Sequence, residues 1–360
     1  MPMQFSSHTI ECPQSSIDPN GVKLKMCAKR YTAGGNGTAD AGSDGLTLLF
    51  AHCIGAHKEI WESVIERLFS LSGGRVAEAW SFDWQTHGDS AVVNRETFER
   101  SPGRAHTGVT AAEWAAGVSA FIDGPLAKGK RLVGIGHSAG GGAMVLTNVN
   151  RPLRSLPFVS LILIEPSIIP RELFYQEIEE RVSTMEFIVT ATESRRERWR
   201  SAEAAYTWMR KRVPWESWDE RVLRKLTVCR DPLSRFVPPL TADLKEHGLE
   251  GPSDGGVTTK LDRKLEALGY TDVESHFLAP VELGRICDSV PVHFVWGSEC
   301  LVPEFVQRAL TDGTEGRKAT SVSTVDGGHL IVQENPDGTA DAIWKILSTS
   351  TLPPTPLGKL

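Results

Sequence analysis

A mostly parallel, doubly wound α/β sheet interrupted by one inserted helical cap is the fold class the sequence predicts. Two patterns carry it. Largely apolar runs at residues 46–51, 131–135, 160–164 and 290–296 have the character of parallel strands, which are buried on both faces and lose polar alternation. Helical stretches separate them, and strands alternating with helices build a parallel sheet with its sites beyond the strands' carboxyl ends. A third pattern breaks the alternation. Residues 170–282 are charged, Trp-rich and helically spaced, with no strand-like run. Residues 1–169 and 283–350 are therefore read as the core, 170–282 as the cap, and 351–360 as an extended tail.

Taken in order, residues 22–31 read as the first strand and 33–45 as a Gly/Ala/Asp loop. Strand 46–51 is followed by a helix with Ile60, Trp61, Val64 and Leu68 on one face. Residues 76–83 form the next strand, and 111–122 a helix with Trp114, Val118 and Phe121 inward. The apolar run 131–135 enters a glycine-rich turn and a helix over 141–149. After strand 160–164 the cap contributes helices at 201–212, 216–227 and 261–268. Strands resume at 290–296 and 319–325, and a last helix, 339–348, buries Ile343, Trp344 and Leu347.

Composition narrows the function. The chain of 360 residues is long enough for one large domain with an insertion. Its formal net charge of −6 argues against a general nucleic-acid binder, which would present a basic surface. Six scattered cysteines without a C-x-x-C pair fit a reducing compartment better than a disulfide framework or zinc site. There is no P-loop, dinucleotide fingerprint or metal-ligand spacing, so no cofactor is expected. The N-terminus lacks a secretory pattern, and no apolar run approaches the ~18 residues of a membrane span.

The chemistry concentrates at Gly136-His137-Ser138-Ala139-Gly140. A serine flanked by glycines two places away, between a strand and a helix, is a nucleophile elbow. The turn exposes the serine Oγ and aims the Ala139 N–H at a developing oxyanion. A hydroxyl needs a base to remove its proton and an acid to orient that base. His329 follows strand 319–325 in Asp326-Gly327-Gly328-His329, where the glycines let the ring swing toward the elbow. His137, inside the elbow, is read as pointing away from the reaction centre. His293 is read as a core residue, and His247 and His276 as cap residues with no strand end beneath them. Two carboxylates compete for the acid: Glu165, ending the apolar strand 160–164, and Glu299, in the loop after 290–296. A second oxyanion donor is expected from the loop His52–Lys58, with Cys53 as a small buried filler.

Together these residues resemble the α/β-hydrolase superfamily over nearly the whole chain. By that likeness His52-Cys53-Ile54-Gly55 is similar to the H-G-x-x loop, which makes Ile54 N–H the second oxyanion donor. Cys300 stands where the fold usually has an aspartate, and Asp83 to Ser90 resembles a structural D-x-x-G-H-G-x-S turn. Residues 87–92, 132–138 and 161–166 are similar to a fungal branch of peroxisomal lipases, the acyl-CoA hydrolase of mycophenolic acid biosynthesis and hydrolases of host-selective toxin pathways. The resemblance implies a serine hydrolase of secondary metabolism acting on an acyl-CoA or ester through an acyl-enzyme, with Glu165 as the acid. A lipase or esterase is the near alternative; a hydrolase-fold binding protein or non-hydrolytic cyclase is the distant one. The ending Gly358-Lys359-Leu360 is similar to a peroxisomal address read by an import receptor; the alternative location is the cytoplasm. In the cap, Trp199, Trp208, Arg198 and Arg212 read either as packed tryptophans with solvated arginines or as an acyl tunnel with a basic rim.

Overall fold

Strands β1 (Gln4–Glu11), β2 (Lys25–Thr32) and β3 (Leu46–Ala51) lead into α1 (Glu62–Ser72) and β4 (Val76–Phe82). Helices α2 (Gly88–Arg100), α3 (Pro102–Thr107) and α4 (Ala111–Asp123) follow, then β5 (Arg131–His137), α5 (Ala139–Leu146) and β6 (Phe158–Ile164). Next come α6 (Arg171–Gln176), α7 (Ile178–Ser194), β7 (Arg198–Trp199), α8 (Ala202–Met209) and α9 (Glu220–Thr227). After these lie β8 (Leu249–Glu250), β9 (Val257–Thr259), α10 (Arg263–Tyr270) and α11 (Val273–Ile286). The chain then makes β10 (Val292–Gly297), α12 (Glu304–Thr311), β11 (Ser321–Val325), α13 (Ile331–Glu334) and α14 (Pro336–Ser350). This computed structural model describes residues 3–15, 18, 21–34, 45–227, 247–251 and 255–350. Most of the expected loop 33–45 and the whole tail, including Gly358, Lys359 and Leu360, lie outside them.

The large sheet has the order β1-β2-β4-β3-β5-β6-β10-β11. Only the β1/β2 and β2/β4 pairs are antiparallel. Parallel register brings Ala51 beside Gly136, His137 beside Ile164, and Val295 beside Ile164. The residues that follow these strands therefore emerge at one edge, where the site is built. Side chains alternate across the sheet with period two. Leu46, Leu48 and Phe50 pack with Trp61, Val64, Leu68, Ile343 and Leu347 on one face. Leu49 and Ala51 meet Trp114, Val118 and Phe121 on the other. Thr110 caps α4 in a reciprocal box with Glu113, which seats that helix's apolar face on the sheet.

Some elements depart from the sequence expectation. β1 is an added edge strand; its mixed, mostly exposed residues carry no core signal. The next strand begins at Lys25, the elbow helix spans Ala139–Leu146, and the last helix is longer than expected. Helix α2 escaped notice because its apolar positions are few and spread around it. The segment between β6 and β10 is not wholly helical: β7, β9 and β8 form a separate three-stranded antiparallel sheet. Strands of two or three residues are too short for periodicity to reveal.

A buried charge network ties β4, α2 and the loop after β3 together. Lys58 Nζ contacts Asp83 Oδ2 at 2.9 Å, Asp89 Oδ2 at 2.6 Å and Glu59 Oε1 at 3.0 Å. Asp83 also accepts the N–H of Lys58 and of Asp89. Lys260, from the inserted segment, reaches Asp89 Oδ1 at 2.6 Å. Burial works against the Lys58 charge, but Asp83, Glu59 and Asp89 outweigh it and hold the ammonium's pKa well above its ordinary value. Removing one partner from such a cluster leaves an uncompensated buried charge. Lys58→Met is expected to cost about 3–5 kcal/mol in urea unfolding. A loss below ~1 kcal/mol would mean that the carboxylates do not depend on Lys58.

Candidate active site

The elbow serine sits at the β5–α5 junction with φ 55° and ψ −123°, a conformation that L residues adopt only when their surroundings enforce it. The enforcement is visible. A Cβ on Gly136 would collide with the Gly140 carbonyl, and one on Gly140 with the Ala51 carbonyl. Ser138 N–H donates to Ile164 O at 3.0 Å, stitching the elbow to β6. Both glycines are there because backbone approaches backbone at each.

Ser138 Oγ lies 3.0 Å from His329 Nε2, and His329 Nδ1 lies 3.1 Å from Glu165 Oε2. Facing a carboxylate, Nδ1 carries the proton, so Nε2 accepts from the serine hydroxyl. Glu165 is fully buried at the end of β6, with φ 43°. Its Oε1 accepts Gly297 N–H at 2.6 Å, and its Oε2 also accepts the Cys300 thiol at 3.3 Å. A buried carboxylate is tolerable when donors surround it, and here three elements supply them. Of the two competing carboxylates, Glu165 is beside the histidine. Glu299 is exposed; its backbone N–H binds Gly327 O, and its side chain has no polar partner among the described residues.

Contrary to the sequence reading, His137 does not point away from this array. Its Nε2–H donates to the His329 carbonyl at 2.8 Å, and the two rings lie 5.5 Å apart. Burial lowers its pKa to about 3, so it acts as a neutral strut beneath the loop. His276 is a second correction. Although it belongs to the inserted segment, its Nδ1 meets the carbonyl of Ser167, two residues past Glu165. His293 is largely as expected: Nδ1 binds Ser321 Oγ at 2.7 Å, while Nε2 is buried without a partner.

The loop after β3 is held by two neutral histidines. His52 Nε2 accepts the Trp84 N–H at 3.1 Å, so its Nδ1–H donates to Cys53 O at 2.7 Å. Burial lowers its pKa to about 3. His87 Nε2 accepts the Gly55 N–H at 3.2 Å and Nδ1–H reaches Thr86 Oγ1 at 2.9 Å. Burial likewise pushes the His87 pKa far down. Cys53 is buried, with Gln333 Nε2 donating to its sulfur at 3.1 Å, as befits a filler. Between these anchors stands Ile54. Its N–H and that of Ala139 have no protein acceptor among the described residues. The array can relay a proton from Ser138 to His329 and leaves backbone donors free nearby.

The sequence matches the alpha/beta hydrolase family model over residues 48–342. The chain belongs to this family. No curated protein sequence matches it. Among solved structures it is similar to the peroxisomal α/β-hydrolase Lpx1 of Saccharomyces cerevisiae, with TM-score 0.69 and 18% identity over 100% of this chain and 93% of that one. It is also similar to the thioesterase domain from the curacin biosynthetic pathway, with TM-score 0.61 and 15% identity over 94% and 99% of the two chains. A thermophilic esterase from Thermogutta terrifontis gives TM-score 0.56 and 15% identity over 95% and 98%. At such identities the likeness is one of fold.

In this hydrolase a cavity of about 820 Å³, including its open mouth, lies between the Cys53–His57 loop and the inserted segment. Trp199, Met209, Trp215, Trp218 and Leu261 give it an apolar wall, interrupted by Arg195, Glu266 and Tyr270. Arg195 and Glu266 neutralise each other through two hydrogen bonds. Ile54 and Leu330 border the cavity, whereas Ser138 and His329 do not. It is a side chamber to the array. Trp208 is half-buried against Trp199 and Trp215, with ring centroids 5.6 and 5.9 Å away. Arg212 lies over the Trp208 ring at 4.4 Å and binds its carbonyl. Arg198 and Arg212 are exposed, and neither lines the cavity. Among the described residues no cluster fit to hold a metal occurs, and no helix is long and apolar enough to cross a membrane.

Sequence reasoning missed Ser167, whose Oγ is 2.8 Å from Ser138 Oγ, and the Cys300–Glu165 contact. Ser167 lies just past the end of β6, but nothing in the sequence marks its contact with Ser138. Burial and then Glu165 push the Cys300 thiol up to about 12, which leaves little thiolate to react. Cys300 in the folded protein is expected to react with iodoacetamide at pH 8 at least ~10²-fold slower than free cysteine, and faster in Glu165→Gln. Peptide mass spectrometry reads both rates. Reaction at the rate of free cysteine would mean that the thiol does not donate to Glu165.

Proposed function

We propose that the protein is a serine hydrolase that cleaves an acyl thioester or carboxyl ester through an acyl-enzyme. The observation that supports this most directly is the unbroken chain from Ser138 Oγ through His329 to Glu165. Ser138 Oγ attacks the acyl carbon while His329 Nε2 takes its proton. The bond to the leaving oxygen or sulfur breaks, and that atom takes the proton from Nε2. Water then attacks the acyl carbon, giving a proton to His329, and Ser138 Oγ leaves and regains it. Glu165 holds the His329 tautomer and stabilises the imidazolium. The N–H groups of Ala139 and Ile54 face the charge that develops on the acyl oxygen.

A binding protein would need no such relay, and the strain at Ser138 and Glu165 would then serve nothing. The inserted segment acts as a cap, and its apolar side chamber suits an acyl group. The acyl-CoA reading rests on the family resemblance and on the exposed arginines around Trp208. The peroxisome is the proposed location, supported by the Gly358-Lys359-Leu360 ending and by the fold shared with a peroxisomal hydrolase.

Ser138→Ala and His329→Ala are each expected to lower kcat by at least ~10³-fold on p-nitrophenyl esters and acyl-CoAs, because such residues act as a unit. Glu165→Gln should cost ~10²–10⁴-fold and Glu299→Gln under ~10-fold. A fluorophosphonate probe should label wild type but not Ser138→Ala. Near-wild-type turnover by either triad variant would end the serine-hydrolase reading, and a reversed carboxylate ranking would move the acid to Glu299. Separately, a fluorescent protein carrying residues 349–360 should enter peroxisomes and lose that location without the last three residues. Diffuse signal from the intact tail would return the protein to the cytoplasm.

A further inference from the structure

Ser167 Oγ sits 2.8 Å from Ser138 Oγ, and among the described residues it has no other polar partner. The donor in this contact can be deduced. Glu165 Oε2 draws the His329 proton onto Nδ1, so Nε2 is an acceptor and claims the single proton of Ser138. Ser138 therefore has no hydrogen left to offer Ser167. The Ser167 hydroxyl must donate, and Ser138 Oγ accepts it on one lone pair while its second remains free for attack.

Ser167 is also held in place independently of its hydroxyl. Its N–H donates to Ser138 O at 3.2 Å, and its carbonyl accepts from His276 on α11. Ile169 N–H returns to His276 O at 3.4 Å. The residue lies in the first turn of chain after Glu165 and is half-buried. Helix α11 thus clamps the segment that carries both the acid and this hydroxyl.

We propose that Ser167 is a catalytic residue that donates a hydrogen bond to the nucleophilic oxygen in both halves of the reaction. The inference rests on the serine-hydrolase reading above. As His329 removes the proton of Ser138, negative charge builds on Oγ, and a donor already aimed there needs no rearrangement to stabilise it. When the acyl-enzyme breaks down, the same oxygen departs with charge and meets the same donor. Ser167 keeps its own proton throughout; no bond to it forms or breaks. Its effect falls on acylation and deacylation together, which separates it from groups that contact only the leaving group.

The test uses the full-length chain and p-nitrophenyl acetate, with pre-steady-state bursts resolving acylation from deacylation. Ser167→Ala is expected to slow both steps about 10–100-fold, the range for a hydrogen bond to a charged atom. Its melting temperature and the pH midpoint of kcat/KM should stay at wild-type values, and Ser167→Thr should recover most of the rate. Ser167→Cys, with a weaker donor, should fall between wild type and Ala, and it serves in place of Ala should that variant fold poorly. Both steps within twofold of wild type would overturn the proposal, as would a change confined to KM or a shifted pH midpoint. Ser138→Ala runs beside them. If it remains active, the hydrolase reading fails; if it is dead while Ser167→Ala is unimpaired, only this inference fails.

Discussion

The buried carboxylate of Glu165 binds the carboxyl end of the sheet into one unit. It accepts from Gly297 at the end of β10, from Cys300 in the loop beyond it, and from His329 in the loop after β11. Its own N–H donates to Val295 O. A charge with no access to water is tolerated only when such donors replace its hydration. Each of those loops is consequently held where its donor reaches the carboxylate, and His329 is delivered to Ser138 as part of that requirement. The left-handed backbone at Glu165 and Ser138 is the local cost of bringing two strand ends together.

The other wall of the site depends on groups kept neutral or paired. His52 and His87 are so deeply buried that their imidazoles remain uncharged, and each uses one nitrogen as an acceptor and the other as a donor. Between them they pin Cys53, Gly55 and Trp84, with the half-buried Ile54 in the same loop. Beneath lies the Lys58 cluster, where three carboxylates surround one ammonium. A loop pre-set in this way keeps its backbone donors in place without reorganisation.

The inserted segment gives the molecule its individuality. Trp199, Trp215 and Trp218 are buried in the same apolar cluster as α1 and α14, so this segment is built into the core rather than laid over it. Its chamber opens beside Ile54, with an internally neutralised Arg195–Glu266 pair in the wall. The fold is shared with hydrolases only 15–18% identical, and substrate choice lives in such local shape, not in the fold.

By itself the sequence determined the parallel sheet, because buried strands must be apolar throughout, and the elbow, because only glycine fits where Gly136 and Gly140 touch other backbone. It also marked His329, which follows a strand and two glycines. Which of Glu165 and Glu299 lies beside His329 is visible only in the tertiary structure. Both end or follow a core strand, and the difference is that β6 lies between β5 and β10 while the Glu299 side chain faces solvent. Local pattern carries strand and helix, since those repeat along the chain. It carries no trace of Ser167 against Ser138, His276 against Ser167, or Cys300 against Glu165. Those contacts join residues 29, 109 and 135 positions apart. The first and third exist because sheet order brings distant strand ends to one edge, and the second because α11 packs beside it.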